Sequence, residues 1–241
     1  MKPKLCLFVF WLVFVSAAFG QSVVVTGKKT TYTRPKPSMD FKKTFTVNYP
    51  KIRAATPALS RKIEAALDYG KNNLVSLKDE MGEYQWLEEA DYEVSYNKNG
   101  FLCVYLSATG TAAYPTSIGK YVVVDLKTGN ALKAAAVFAN FPGLIAEVKK
   151  IQDTEVKQSI EDLKKEPDFQ GENPESLFEY TKFEALNLEG FSITDDGVSF
   201  HYEYGFPHVI YALEPGGDYF LGWKDIKPFV KPTGPFARFV K

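Results

Sequence analysis

The sequence predicts an α+β fold: a mostly antiparallel sheet built from hairpins, with helices packed on one face. Three observations carry this. Short runs of alternating polar and apolar residues recur, as in Phe41–Tyr49, where Phe45, Val47 and Tyr49 point one way and Thr44, Thr46 and Asn48 the other. Turn signals separate such runs at hairpin spacing. Two segments with helical periodicity interrupt the strands, and helices set between hairpins imply helix on antiparallel sheet.

The chain of 241 residues opens with Lys2 and Lys4, an apolar run from Leu5 to Val15, and small residues at Ala18 and Gly20. This is the pattern of a signal peptide, residues 1–20, cleaved before Gln21. The competing reading, an uncleaved anchor, needs a longer apolar run than Leu5–Val15. Cys6 precedes the apolar run, which argues against a lipoprotein. With no second long apolar segment, an integral membrane protein is not expected, and the expected location is periplasmic or extracellular.

Cleavage leaves 27 basic side chains, the 29 of the whole chain less Lys2 and Lys4, against 29 acidic ones. That balance argues against a nucleic-acid partner. Cys103 is then the single cysteine, so no internal disulfide can form. It sits in the strand-like run Phe101–Leu106 with no positive neighbour to favour the thiolate, and reads as a buried, inert thiol. The fold must rest on its core, and some 220 residues suffice for one large or two small units.

Residues 21–40 read as an extended arm, broken by Pro35 and Pro37, with an edge strand at Val23–Val25. Residues 41–115 read as an N-terminal part of strand, helix and hairpin. Thr56-Pro57 starts the helix with a capping hydroxyl and a first-turn proline, and Leu59, Ile63, Ala66 and Leu67 form its stripe. Gly70 marks its end, or the helix runs on into Lys71–Asn73. Tyr92–Tyr96 and Phe101–Ser107 flank the hairpin turn Asn97–Gly100.

Residues 116–241 read as a C-terminal part of hairpin, long helix, hairpin, strand and short helix. Tyr121–Asp125 joins Ala131–Lys133 through Lys127–Asn130. Pro142 opens a helix carrying Leu144, Ile145, Val148, Ile151, Ile160 and Leu163, with a break expected near Asp153-Thr154. Residues 166–180 form a polar connector.

Three constellations bear on chemistry. Asp195-Asp196-Gly197 brings to mind the paired aspartates of metal-dependent deacetylases, but those need two histidines four residues apart, and His201 and His208 are seven apart. A hairpin turn explains the triplet. Second, on a strand His201 and Glu203 share a face opposite Phe200, Tyr202 and Tyr204. His208 returning by a loop would complete a His-Glu-His zinc site; a polar, solvent-facing strand face explains the same residues. Third, Tyr202, Tyr204, Phe206, Tyr211, Tyr219, Phe220 and Trp223 form a dense aromatic run, most of it pointing inward. Contacts from Phe206, Pro207, His208 or Tyr211 suit a glycan or protein surface. No serine elbow, phosphate loop or His-Glu-x-x-His motif occurs.

Asp196-Gly197, Phe200, Tyr204, Tyr211-Ala212, Gly216, Phe220–Trp223 and Ile226–Phe229 resemble the C-terminal signature of the RsiV/PdaC-like domain family. That domain occurs in a lysozyme-sensing anti-sigma factor, beside the catalytic domain of a peptidoglycan deacetylase, and in a secreted mycobacterial antigen family. Tyr114-Pro115 and Val124–Gly129 resemble its midsection, with Tyr114 where the family often has histidine. The resemblance spans Phe41 to Val230 and implies an extracytoplasmic accessory or binding module. It transfers no catalytic residue, because the matching positions are aromatic, glycine and turn residues.

The expected function is therefore a non-catalytic envelope-binding protein. Its ligand is a cell-wall glycan or a secreted protein, contacted through His201, Glu203, Phe206, His208 and Tyr211, with no cofactor or metal assigned. The alternative is an envelope glycan or peptide hydrolase using His201, Glu203 and His208.

Overall fold

The computed structural model describes residues 22–169 and 173–241; the expected signal peptide, residues 1–20, and Gln21 lie outside the described residues. The described strands form two sheets. Val24–Thr33 (β1), Thr44–Arg53 (β2), Leu87–Lys98 (β3), Phe101–Thr111 (β4), Pro115–Asp125 (β5) and Asn130–Ala131 (β6) make the larger one, in that spatial order. Phe191–Ile193 (β7), Gly197–His201 (β8) and Asp218–Gly222 (β9) make the smaller. Every neighbouring pair is antiparallel except β2–β3, which run parallel through Thr46–Glu89 and Val47–Ala90. Among the described residues the α-helices are Pro57–Ala66 (α1), Leu77–Glu80 (α2), Ala134–Val137 (α3), Phe141–Leu163 (α4) and Trp223–Ile226 (α5). The α+β class read from the sequence holds. No described helix is long and apolar enough to cross a membrane.

Local signals explain most of these elements. Asn99 and Gly100 both take positive φ (53° and 72°), so β3 turns tightly into β4. The Thr56 hydroxyl caps α1 by accepting from the Leu59 N–H at 3.2 Å. The arm holds a longer strand than expected: β1 spans ten residues, not three, and pairs with β2 from Val24–Arg53 to Thr33–Thr44. As a half-exposed edge strand it tolerates the polar residues that masked it. Helix α4 runs unbroken through Asp153-Thr154, because the Thr154 hydroxyl donates to the Lys150 carbonyl at 2.9 Å instead of capping a new helix. Strand β5 begins at Pro115 and pairs with β4 throughout. Pro115, Gly119 and Lys120 hid that first half. Gly119 is needed there, since a Cβ would lie 1.9 Å from the Tyr105 hydroxyl packed over it.

Two hydrophobic cores share the β4–β5 hairpin. On one face Leu102, Val104, Leu106, Ala108, Val122 and Val124 pack with Phe45 and Val47 of β2 beneath Ile63 of α1 and Leu67 just after it. On the other, Phe101, Cys103 and Val123 join Phe191, Phe200 and Tyr219 of the small sheet and Leu144 and Val148 of α4. Burial raises the Cys103 thiol pKa and keeps it protonated.

The link between β1 and β2 is fastened by a buried ion pair. Arg34 and Glu80 are each 2% exposed. The guanidinium donates to the Glu80 carboxylate and to the carbonyls of Glu80 (2.9 Å), Lys42 (2.6 Å) and Leu87 (2.7 Å). It thereby ties the β1–β2 loop to α2 and to the start of β3. Removing one partner strands the other charge in the interior, so Arg34→Met should cost about 3–5 kcal/mol in urea unfolding. The double variant Arg34→Met/Glu80→Leu should recover only the part due to the stranded carboxylate, because the three carbonyls and the Leu87 N–H that the pair satisfies remain without partners.

Candidate functional site

Strand β8 sends Phe200 into the second core and His201 to the opposite side. There β7 offers Ser192 and β9 offers Asp218, which is directly paired with His201 in register. His201 Nδ1 lies 2.5 Å from Asp218 Oδ1, and Nε2 lies 2.9 Å from Ser192 Oγ. A carboxylate only accepts, so Nδ1–H donates to Asp218 and Nε2 accepts from the Ser192 hydroxyl. The imidazole stacks on Tyr121 of β5, with centroids 4.2 Å apart and planes 18° apart. Burial lowers the His201 pKa, outweighing the opposite pull of Asp218, and so favours the neutral ring.

This placement differs from the solvent-facing strand face read in the sequence. The strand ends at His201, Tyr121 covers its ring, and Glu203 lies in the following loop. The covering strand is about eighty residues away in sequence, beyond the reach of a local pattern.

Ser192, His201 and Asp218 are connected as in a serine-hydrolase triad, but their exposure is inverted. Ser192 is buried, whereas the Asp218 side chain is 69% exposed. Thr194 N–H bonds to the Gly197 carbonyl and His201 N–H to the Gly190 carbonyl. Ladder alternation then makes Ser192 and Ser199 a hydrogen-bonded pair, and the Ser192 N–H is not free to hold an oxyanion. The arrangement fixes the imidazole and turns a carboxylate, not a nucleophile, toward solvent.

That carboxylate faces an open cleft of about 670 Å³ lined by Tyr105, Tyr121, His201, Tyr202, Glu203 and Asp218 among others. A second cleft of about 240 Å³ is lined by Ile118, Glu203, Phe206, His208, Tyr211 and Glu214 among others. Glu203 belongs to both, so the two read as one groove. The groove touches all five residues singled out in the sequence, but in different ways. His201 lines the first cleft; Phe206, His208 and Tyr211 line the second. Phe206 is mostly wall, 5.3 Å from the Phe178 ring, and His208 stacks on Tyr114 at 4.5 Å. Among the described residues no three of His, Cys, Asp and Glu are grouped to hold a metal ion.

The loop forming the far wall is firmly held. Glu214 accepts from the N–H groups of Tyr204 (2.7 Å), Gly205 (2.9 Å) and Phe206 (3.3 Å). Glu155 of α4 accepts from the Tyr204 hydroxyl at 2.8 Å and from the Gly217 N–H at 3.1 Å. Burial raises the pKa of the Tyr204 and Tyr219 hydroxyls, which stay protonated and 2.8 Å apart. Sequence reasoning missed Tyr105, Tyr121, Ser192 and Asp218. Tyr105 and Tyr121 face each other across β4–β5, but the pairing shows only once β5 is known to begin at Pro115.

No family model matches the sequence, and no curated protein does. Solved structures do match. A DUF3298 family member from Bacteroides fragilis superposes with a TM-score of 0.55 at 14% identity, over 92% of this chain and 98% of that one. A DUF3298 family protein from Pseudomonas aeruginosa gives 0.52 at 11%, over 88% and 95%. The chain has the DUF3298 fold. DUF3298 is the RsiV/PdaC-like domain family, so the fold agrees with the resemblance read from the sequence. On this DUF3298 scaffold the groove lies between β5 and the loop that follows β8.

The neutral His201 gives the fold a pH signature. Its folded pKa lies below the ordinary 6.5, so on acidification the unfolded chain takes up the proton first. Its contribution is full above about pH 6.5 and is lost as pH falls through the folded value. Between pH 7.5 and 5.5 the wild type should therefore lose urea stability relative to His201→Phe, which keeps an aromatic ring on Tyr121. Parallel curves would contradict this.

Proposed function

We propose that this is a secreted or periplasmic, non-catalytic binding protein of the cell envelope and a member of the RsiV/PdaC-like family. The groove holds its ligand, an envelope component such as a peptidoglycan-type glycan or a lysozyme-like protein. One observation carries the reading: the groove brings tyrosine faces and exposed carboxylates together on a firmly held frame, while its one serine–histidine pair keeps the hydroxyl buried. Tyrosines with a polar tip suit recognition of sugar faces and of protein surfaces. The signal-peptide pattern and the family resemblance support the location.

The second reading is a hydrolase acting on envelope glycan or peptide through His201, Glu203 and His208. It draws on His201, a largely neutral imidazole aligned by Asp218, as a general base. His201 is bound between Ser192 and Asp218 while His208 stacks on Tyr114, which weighs against all three acting together.

Pulldown against cell-wall sacculi and against lysozyme, with a turnover assay on the same sacculi, separates the readings. Binding to either, weakened about tenfold or more by Tyr105→Ala and by Glu203→Ala and unchanged by the remote Lys29→Ala, is expected. No binding at micromolar concentration would count against the proposal. Turnover lost in a folded His201→Ala variant would favour the hydrolase.

A further inference from the structure

The floor of the groove is an unpaired sheet edge. Strand β5 pairs with β4 along its whole inner side, from Thr111–Pro115 to Phe101–Asp125. On its outer side β6 covers Val124 and Asp125, and the Leu132 N–H caps the Val123 carbonyl at 2.7 Å. The Leu126 N–H bonds to the Gly100 carbonyl, which sets the alternation. Thr116, Ile118, Lys120 and Val122 then turn their backbone groups toward β4, and Ser117, Gly119 and Tyr121 turn theirs outward. Among the described residues these three N–H and C=O sets have no hydrogen-bond partner. They recur every two residues, about 6.7 Å apart, which is the repeat of an incoming strand.

This edge lies open to the groove along its length. Pro115–Ile118 line the smaller cleft, and Gly119–Tyr121 line the larger. The facing wall is His201–Glu203 and the loop carrying Phe206, His208 and Tyr211. Sheets with such edges are extended by peptides that supply the missing strand, with affinity from the main chain and selectivity from side chains on either side. Charge indicates the kind of peptide. Glu189, Glu203, Asp218 and Glu214 line the two clefts, against Lys120 as the one lysine or arginine.

Resting on the reading of this groove as the binding site, we propose that its ligand is a basic, extended segment of a partner protein, bound by strand addition to β5 over Ser117–Tyr121. The opposite edge of the large sheet, β1, carries the exposed Lys28 and would disfavour such a segment.

The test uses a displayed random dodecapeptide library panned on the whole protein. The selected peptides should be rich in Lys, Arg and β-branched residues. Ser117→Pro removes one outward N–H without touching a β4 bond, and should weaken their binding at least tenfold, while Ser117→Ala stays within about twofold. Bound peptide should also slow amide exchange at Ser117, Gly119 and Tyr121 in the wild type, a readout that stands if the proline variant misfolds.

Failure to enrich any peptide over bare support, an acidic or neutral pool, or unchanged exchange at these amides would each overturn strand addition. So would a self-association abolished by Ser117→Pro, which would make the occupant a second copy. Sacculus binding that needs Tyr105 and Glu203 but ignores Ser117→Pro would keep the groove as a binding site and overturn only this inference. Indifference of every ligand to all three substitutions would remove both.

Discussion

Side-chain alternation along Phe101–Thr111 and Pro115–Asp125 is the constraint on which both cores depend. Leu102, Val104, Leu106, Val122 and Val124 serve the core under α1; Phe101, Cys103 and Val123 serve the core shared with α4 and the small sheet. A one-residue slip of either strand would exchange the two sets and mismatch both cores. The Asn99-Gly100 turn, with both residues at positive φ, fixes the register at one end of β4. A hairpin buried on both faces explains why the run Phe101–Leu106 is almost continuously apolar when other strands of the sheet alternate.

The groove follows from the same geometry. Tyr121 packs against the edge of the second core and stacks on His201 of the small sheet, and the first half of β5 runs on beyond that point. Ser192 and Asp218 hold that imidazole from both sides, so three strands of the small sheet and one of the large meet at a single ring. Its position also explains why the carboxylate of Asp218 stays exposed. The ring fills the space between Asp218 and the buried hydroxyl, and the acid remains at the surface of the cleft. The far wall gains its order from Glu214 and Glu155, whose carboxylates gather backbone N–H groups that would otherwise be loose loop.

Much of the fold was legible in the sequence because local chemistry specified it. The Thr56-Pro57 helix start, the Asn-Gly hairpin, the Asp195-Asp196-Gly197 turn and the Pro142 helix all follow from caps and turns that act within a few residues. What escaped was set by distant partners. Strand β1 hides its pattern because only its paired side is covered, and the first half of β5 hides behind Pro115 and Gly119. The five candidate residues line the groove, but His201 is covered there by Tyr121 where the local pattern suggests a solvated face. Its neighbours Tyr121, Ser192 and Asp218 come from three other strands, and nothing in the local pattern of β8 distinguishes a covered imidazole from a solvated one.

The shared hairpin predicts that the two cores cannot melt apart. Trp86 packs against the first core and Trp223 against the second, so each half carries its own fluorophore. Urea unfolding of Trp86→Phe and Trp223→Phe, made in the chain starting at Gln21 so that Trp11 is absent and each reports the one tryptophan that remains, measures the coupling directly once allowance is made for each variant's stability by circular dichroism. In each variant the fluorescence midpoint should coincide with the backbone midpoint, as for one cooperative unit. A fluorescence transition displaced from the backbone transition in either variant, with one core lost while the other persists, would contradict the shared wall.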